Sequence, residues 1–141
     1  MKKTILIIIA LMASLAGFQT MAQVSKESAK EARVLVYYFH GTHRCPTCLA
    51  IEANTKKMLD TDFAKELKEG IIRFQSINMD EEVNQKLAEA YEAAGSSLFV
   101  TRIEGKKKIR QDLTDFAFTN ARNNPEKFMS ELKKVITRDL K

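Results

Sequence analysis

Six apolar residues run unbroken from Val34 to Phe39 (VLVYYF), all of them β-branched, aromatic or aliphatic. Such a run predicts a strand covered on both faces, as in the middle of a parallel or mixed sheet. From Cys45-Pro46 the spacing turns helical. Proline suits a first helical turn because the N–H it lacks would have no partner there, and Leu49, Ala53, Lys56 and Leu59 continue the pattern. Asp60-Thr61 is expected to break or restart this helix, with Phe63 and Leu67 carrying an apolar stripe up to Gly70. The next segment, IIRFQSIN (71–78), alternates: Ile72, Phe74 and Ser76 on one face, Arg73, Gln75 and Ile77 on the other. This is a second strand. Asp80 has the character of an N-cap, with Glu81 and Glu82 suited to the positive end of the helix dipole. Val83, Leu87, Ala90, Tyr91 and Ala94 would form that helix's apolar face, and Gly95 would end it.

Leu98–Ile103 predicts a third strand and Lys108–Leu113 a fourth, with Ile109 and Leu113 on the buried side. The turn between them, Glu104-Gly105-Lys106, is too short for anything but antiparallel pairing. Asn123-Asn124-Pro125 opens a last helix with Phe128, Met129, Leu132, Val135, Ile136 and Leu140 along one face. The polar stretch Ser25–Arg33 ahead of the first strand is expected to be a short helix. No repeat or low-complexity tract interrupts the order. A parallel crossover in the first half and a hairpin in the second predict an α/β fold: a four-stranded mixed sheet with helices on both faces.

The first residues stand apart from this pattern. Lys2 and Lys3 precede an apolar run from Ile5 to Ala16, followed by small residues at Thr20 and Ala22. That is the layout of a secretory signal peptide cut after Ala22. The run is shorter than the roughly 20 residues of a membrane span, and Phe18 stands where a lipoprotein would have cysteine. We therefore expect a leader over 1–22, one domain over 23–141, and an exported, periplasmic location with no stable membrane span after cleavage. Losing Lys2 and Lys3 lowers the net charge from +5 to +3. So mild a charge, on an exported chain, does not suggest nucleic acid as a partner. Arg102, Lys106, Lys107, Lys108 and Arg110 gather around the predicted turn, as a solvated hairpin or a docking face for an acidic partner.

Export bears on the chemistry, because the chain's two cysteines, Cys45 and Cys48, would then meet a compartment where disulfides persist. They lie in FHGTHRCPTC (39–48), at the junction of the first strand and the long helix. With Cys45 as N-cap, Pro46 as N1 and Cys48 as N3, unpaired backbone N–H groups and the helix dipole favour a negative sulfur. Arg44 and, when protonated, His43 add positive charge nearby. Cys48, one turn further in, would be the more shielded. Cys45 would then attack a partner disulfide and Cys48 would resolve the mixed disulfide. Two other uses stay open. A purely structural bridge closing four residues would stabilise by roughly 2 kcal/mol, against about 4.7 for a 100-residue loop. A copper or zinc site could use Cys45, Cys48 and His43, but the chain has no second CxxC and no HxxxH. His40 and His43 are either plain loop residues or proton carriers for the departing thiol. Tyr37 and Tyr38 alternate on the strand, so one should enter the core while the other packs under a helix.

The element order, the CPTC at the strand-to-helix junction and the Gly105 hairpin resemble the thioredoxin-fold proteins over roughly Val34 to Leu140. The resemblance implies dithiol–disulfide exchange at Cys45 and Cys48 with no cofactor, a partner protein bearing a disulfide or dithiol, and possible electron supply from the membrane side. The chain departs from the thioredoxin pattern in three places. Arg44 replaces a tryptophan, no carboxylate occurs in Val34–Gly41, and about Ser97 stands where thioredoxins carry a proline that grips substrate. More narrowly, YYFHGTHRCPTC with IEANT and the later GSSLFV resembles a small group of exported bacterial thioredoxin-like proteins. That group is named as the small subunit of nitrophenyl-compound (aromatic arsenical) nitroreductase systems.

Overall fold

The computed structural model describes residues 30–141. The leader expected over 1–22 and most of the helix expected over Ser25–Arg33 lie outside the described residues. The described end of that stretch, Lys30 to Arg33, is irregular rather than helical. It is held instead by backbone bonds to the second strand's lead-in, Lys30 N–H to Glu69 O and Arg33 N–H to Ile71 O.

Strand β1 (Val34–His40) is followed by helices α1 (Pro46–Asp62) and α2 (Ala64–Lys68), then β2 (Ile72–Asn78) and α3 (Glu82–Tyr91). Strands β3 (Ser97–Glu104) and β4 (Lys107–Asp112) form the hairpin, and α4 (Thr114–Asn120) and α5 (Pro125–Asp139) complete the chain. The sheet order is β2-β1-β3-β4. β1 pairs with β2 in parallel, Val34 opposite Ile72 and His40 opposite Asn78, and with β3 antiparallel, Phe39 opposite Ser97. β4 pairs antiparallel with β3 at the edge. The fold class is the one the pattern predicted: a four-stranded mixed α/β sheet with helices on both faces.

Because side chains alternate along a strand, β1 feeds two cores. Val34, Val36 and Tyr38 face α1, α4 and α5, meeting Ile51, Met58, Leu59, Phe128, Leu132 and Ile136. Phe39 faces α3 and packs with Ile77, Ala88, Tyr91 and Phe99. Tyr37 sits on this second side, 5.3 Å from Tyr91 ring to ring. Full burial stabilises by roughly 1.5–3 kcal/mol per large side chain. The residues of α5 therefore hold that helix firmly. No helix among the described residues is long and apolar enough to cross a membrane.

Several expectations are corrected by packing. α1 does not break at Asp60-Thr61. Both are exposed there, and Thr61 donates its hydroxyl to Lys57 O at 2.8 Å, so the helix continues to Asp62. The turn comes at Phe63 (φ −134°, ψ 26°), whose ring enters the core. Asp80 is not the N-cap of α3; Glu81 holds that place, without a side-chain cap bond. α3 is also rotated from the expected phase. Ala88 and Tyr91 are buried, whereas Val83 is 82% exposed. Five residues at 100° each put Val83 about 140° around the helix from Ala88. Ala90 and Ala94 are exposed too. The helix ends before Gly95, at Glu92, which adopts a left-handed backbone (φ 55°). α4 is not predicted by the pattern: TDFAFTN is short and weakly periodic, with Ala117, Asn120 and the following Ala121 buried and Phe116 packed on Phe128.

Candidate functional site

β1 ends in the middle of the sheet, so the loop after it opens at the edge of both cores. Three contacts from the end of β2 shape that loop. Met79 N–H bonds to His40 O (2.8 Å), Asn78 Nδ2 donates to Thr42 Oγ1 (3.2 Å), and Thr42 N–H donates to Asp80 Oδ2 (2.7 Å). Asp80, expected to cap a helix, instead holds this loop. The Thr42 bonds keep its carboxyl below the ordinary value of 3.8, with help from the nearby His43 and His40 charges.

The loop delivers Cys45 to the head of α1. Cys45 is the N-cap with extended backbone (φ −76°, ψ 160°) and Pro46 occupies the first turn, as the sequence predicted. Cys45 Sγ accepts the Cys48 backbone N–H at 3.1 Å. The cysteines form a disulfide, their Cα atoms 5.0 Å apart. Cys45 is exposed while Cys48 is only 6% exposed. The two sulfurs are thus unequal in the way the spacing implied.

Beneath the disulfide lies a polar layer that sequence reasoning had not assembled. Tyr38, fully buried, donates its hydroxyl to Cys48 O at 2.9 Å. Ser96, just ahead of β3, donates its hydroxyl to Cys48 Sγ at 3.6 Å. Burial dominates at the Tyr38 phenol and raises its pKa above the ordinary 10.0, against the lowering influence of nearby Ser96 and Arg44. Arg44 forms an ion pair with Glu52, one turn beyond Cys48 on α1, and stacks over the Tyr38 ring, 5.5 Å from its centre. Burial pushes the Glu52 carboxyl up, but hydrogen bonds from Ser76 and Arg44 and the Arg44 charge outweigh it and leave the pKa lowered. Arg44 is therefore a largely neutralised clamp between loop and helix, where the sequence suggested a free positive charge for Cys45.

The histidines take separate paths. His40 stacks on Tyr38 (5.8 Å between ring centres), with Nδ1 2.9 Å from Gly41 O. His43 is exposed on the Asp80 side of the loop. Among the described residues no three His, Cys, Asp or Glu side chains converge as a metal site. Cys45, Cys48 and His43 are thus not brought together as a ligand set in this oxidised state. Ser97, expected near the proline position of thioredoxins, heads β3 opposite Phe39, and its hydroxyl bonds to Gly95 O at 2.8 Å. The basic group on the hairpin is partly engaged: Arg102 pairs with Glu104, and Arg110 lies 4.1 Å over the Tyr91 ring and donates to Ala90 O.

The sequence could have pointed to Glu52 only as a residue one turn after Cys48. It carried no signal for Ser96, 48 positions away.

No model of a known protein family matches the chain, and no curated protein sequence does. Among solved structures it is similar to a thioredoxin from Thermus thermophilus, with a TM-score of 0.49 and 21% identity over 76% of each chain. It is similar to Fasciola hepatica thioredoxin with a TM-score of 0.47 and 20% identity over 77% of this chain and 83% of that one. A structure described as that of a malarial protein is also similar, with a TM-score of 0.40 and 17% identity over 62% and 93% of the two chains.

Proposed function

We propose that the chain is an exported thiol–disulfide oxidoreductase, an electron relay in which Cys45 attacks and Cys48 resolves. One observation carries the reading: an exposed cysteine capping a helix N-terminus, disulfide-bonded to a buried cysteine one turn on. In the reduced state the Cys45 thiolate attacks a partner disulfide and one partner sulfur leaves as a thiol. The Cys48 thiolate then attacks Cys45 Sγ, the mixed disulfide breaks, and the partner's second sulfur leaves. The chain is oxidised by two electrons and the partner disulfide is reduced; the reverse sequence donates the disulfide.

The absence of proline before β3 supports a dedicated partner over a broad range of substrates. In this reading electrons reach the chain from the membrane side; the alternative reading makes it the thioredoxin-like subunit of a nitrophenyl-compound reductase system. The resemblance of YYFHGTHRCPTC and GSSLFV to that group is what supports the narrower assignment.

The test is the reduction potential of the Cys45–Cys48 pair in thiol buffers, together with two variants. A reversible two-electron transition near about −270 mV indicates a reductant or relay, and one near about −120 mV a disulfide donor. Cys45→Ser abolishes exchange, and Cys48→Ser accumulates mixed disulfides. Exchange unaltered in both variants would sink the proposal.

A further inference from the structure

Resolution needs the Cys48 sulfur as a thiolate, yet Cys48 is 6% exposed and lies away from bulk water. Charged and titratable groups approach it from several sides. Tyr38 comes from β1 with His40 at that strand's end, Arg44 from the loop, and Glu52 from the next turn of α1. None of these side chains hydrogen-bonds to the sulfur. Arg44 and Glu52 spend their charge on each other, and the Tyr38 hydroxyl is turned to the Cys48 carbonyl. Among the described residues, the one side-chain hydrogen bond to Cys48 Sγ comes from Ser96.

We propose that Ser96 is a catalytic residue for the resolving cysteine: its hydroxyl donates to the Cys48 sulfur and holds it as the thiolate that attacks Cys45. The inference rests on the thiol-exchange reading above. In the disulfide the contact is long, at 3.6 Å, as suits a weakly accepting neutral sulfur. A thiolate is a far better acceptor, and a hydrogen bond to an ionised group is roughly twice as strong as a neutral one. The contact therefore gains strength when the mixed disulfide forms and Cys48 is released. The Tyr38 phenol lies beside Ser96 but spends its proton on the Cys48 carbonyl, so it does not compete as a donor to the sulfur. During resolution the Cys48 proton passes to solvent as the thiolate forms. The new bond is Cys48 Sγ–Cys45 Sγ, the bond broken is Cys45 Sγ–partner S, and the partner thiolate takes up a proton.

The experiment uses full-length chain carrying Cys45→Ser, so that Cys48 is the lone thiol, and follows thiolate absorbance against pH. Adding Ser96→Ala moves the Cys48 titration midpoint up by about one pH unit, a tenfold loss of thiolate below it. Ser96→Thr, which keeps the hydroxyl, restores the midpoint. In chain with both cysteines, mixed disulfide formed with a small aromatic disulfide is followed at pH 7. Ser96→Ala slows its resolution only about threefold, because the more basic thiolate recovers part of the loss in nucleophilicity. A midpoint unmoved by Ser96→Ala, or a threonine variant that behaves as alanine does, overturns the role of Ser96. Failure of the unmodified chain to exchange with any disulfide overturns the functional reading instead, and the absorbance titration still decides the contact.

Discussion

Glu52→Gln isolates the clamp under the disulfide. The substitution keeps the side chain's volume and its capacity to meet Ser76, and removes the charge that faces Arg44. Arg44 and Glu52 side chains are 18% and 27% exposed. A fully exposed pair contributes about 0–1 kcal/mol, while stripping one partner from a buried pair costs about 3–5 kcal/mol. This pair lies between those limits, and roughly 1–2 kcal/mol is expected at pH 7 by interpolating between exposed and buried pairs. For a domain of this size that is a fall in Tm of about 4–8 °C. Arg44→Gln should cost more, because it also removes the stacking over Tyr38, worth about 0.5–1 kcal/mol. The double variant should fall short of the sum of the two, since both singles break the same pair. The assay is thermal unfolding of the oxidised chain by circular dichroism, repeated from pH 7 to pH 3. Glu52 has a folded pKa below its ordinary value of 4.5. Its contribution is therefore present above that value and disappears as pH falls through the lower folded one. The gap between the unmodified chain and Glu52→Gln should close on acidification. An equal gap at pH 7 and pH 3, or strictly additive single variants, would refute the clamp.

Three further outcomes follow from named contacts. Thr55 is fully buried and its Oγ1 has no hydrogen-bond partner, so Thr55→Val should raise stability by about 1 kcal/mol in denaturant unfolding. Glu92 carries a Cβ in left-handed backbone at the end of α3; Glu92→Gly should stabilise by about 0.5–1 kcal/mol by relieving that strain, net of the chain entropy glycine adds. Asp80, whose pKa is lowered by the Thr42 backbone, holds the loop above the ordinary carboxylate range and releases it as pH falls below. Protection of the Thr42 amide, taken relative to its intrinsic exchange rate at each pH, should fall through that acid window and be absent at all pH values in Asp80→Ala.

Elements whose pattern depends on their own residues were readable from the chain. β1 needed only six consecutive apolar side chains, α5 only its spacing of Phe128, Leu132 and Ile136, and the cap at Cys45 only the proline behind it. Elements whose phase is set by a neighbour were not. α3 offers Val83 and Ala90 as readily as Ala88, and it is the aromatic cluster of Phe39, Phe99 and Tyr91 that selects the face. Asp80 has the chemistry of a cap, but a better use existed in Thr42, 38 residues away. α4 is short enough that its burial against α1 and α5 decides its helicity, and its own sequence does not.

The same division runs through the site and explains its asymmetry. Everything that makes Cys45 reactive is local: its exposure, its place at the helix head and the backbone N–H groups there. These can be read from RCPTC alone. What governs Cys48 is mostly tertiary: Tyr38 from β1 and Ser96 from the head of the neighbouring strand β3, with the Arg44–Glu52 pair closing the layer from the loop side. A single β1 residue, Tyr38, ties these together, since it touches the Cys48 carbonyl, neighbours Ser96 and lies under Arg44. Tyr38→Phe keeps the ring and so keeps the core and the stacking, while removing the hydroxyl that holds the Cys48 carbonyl. It should therefore leave Cys45 attack unchanged and slow only the Cys48 step. Measured as single-turnover kinetics, equal slowing of both steps would show that the two cysteines draw on one environment and not on two.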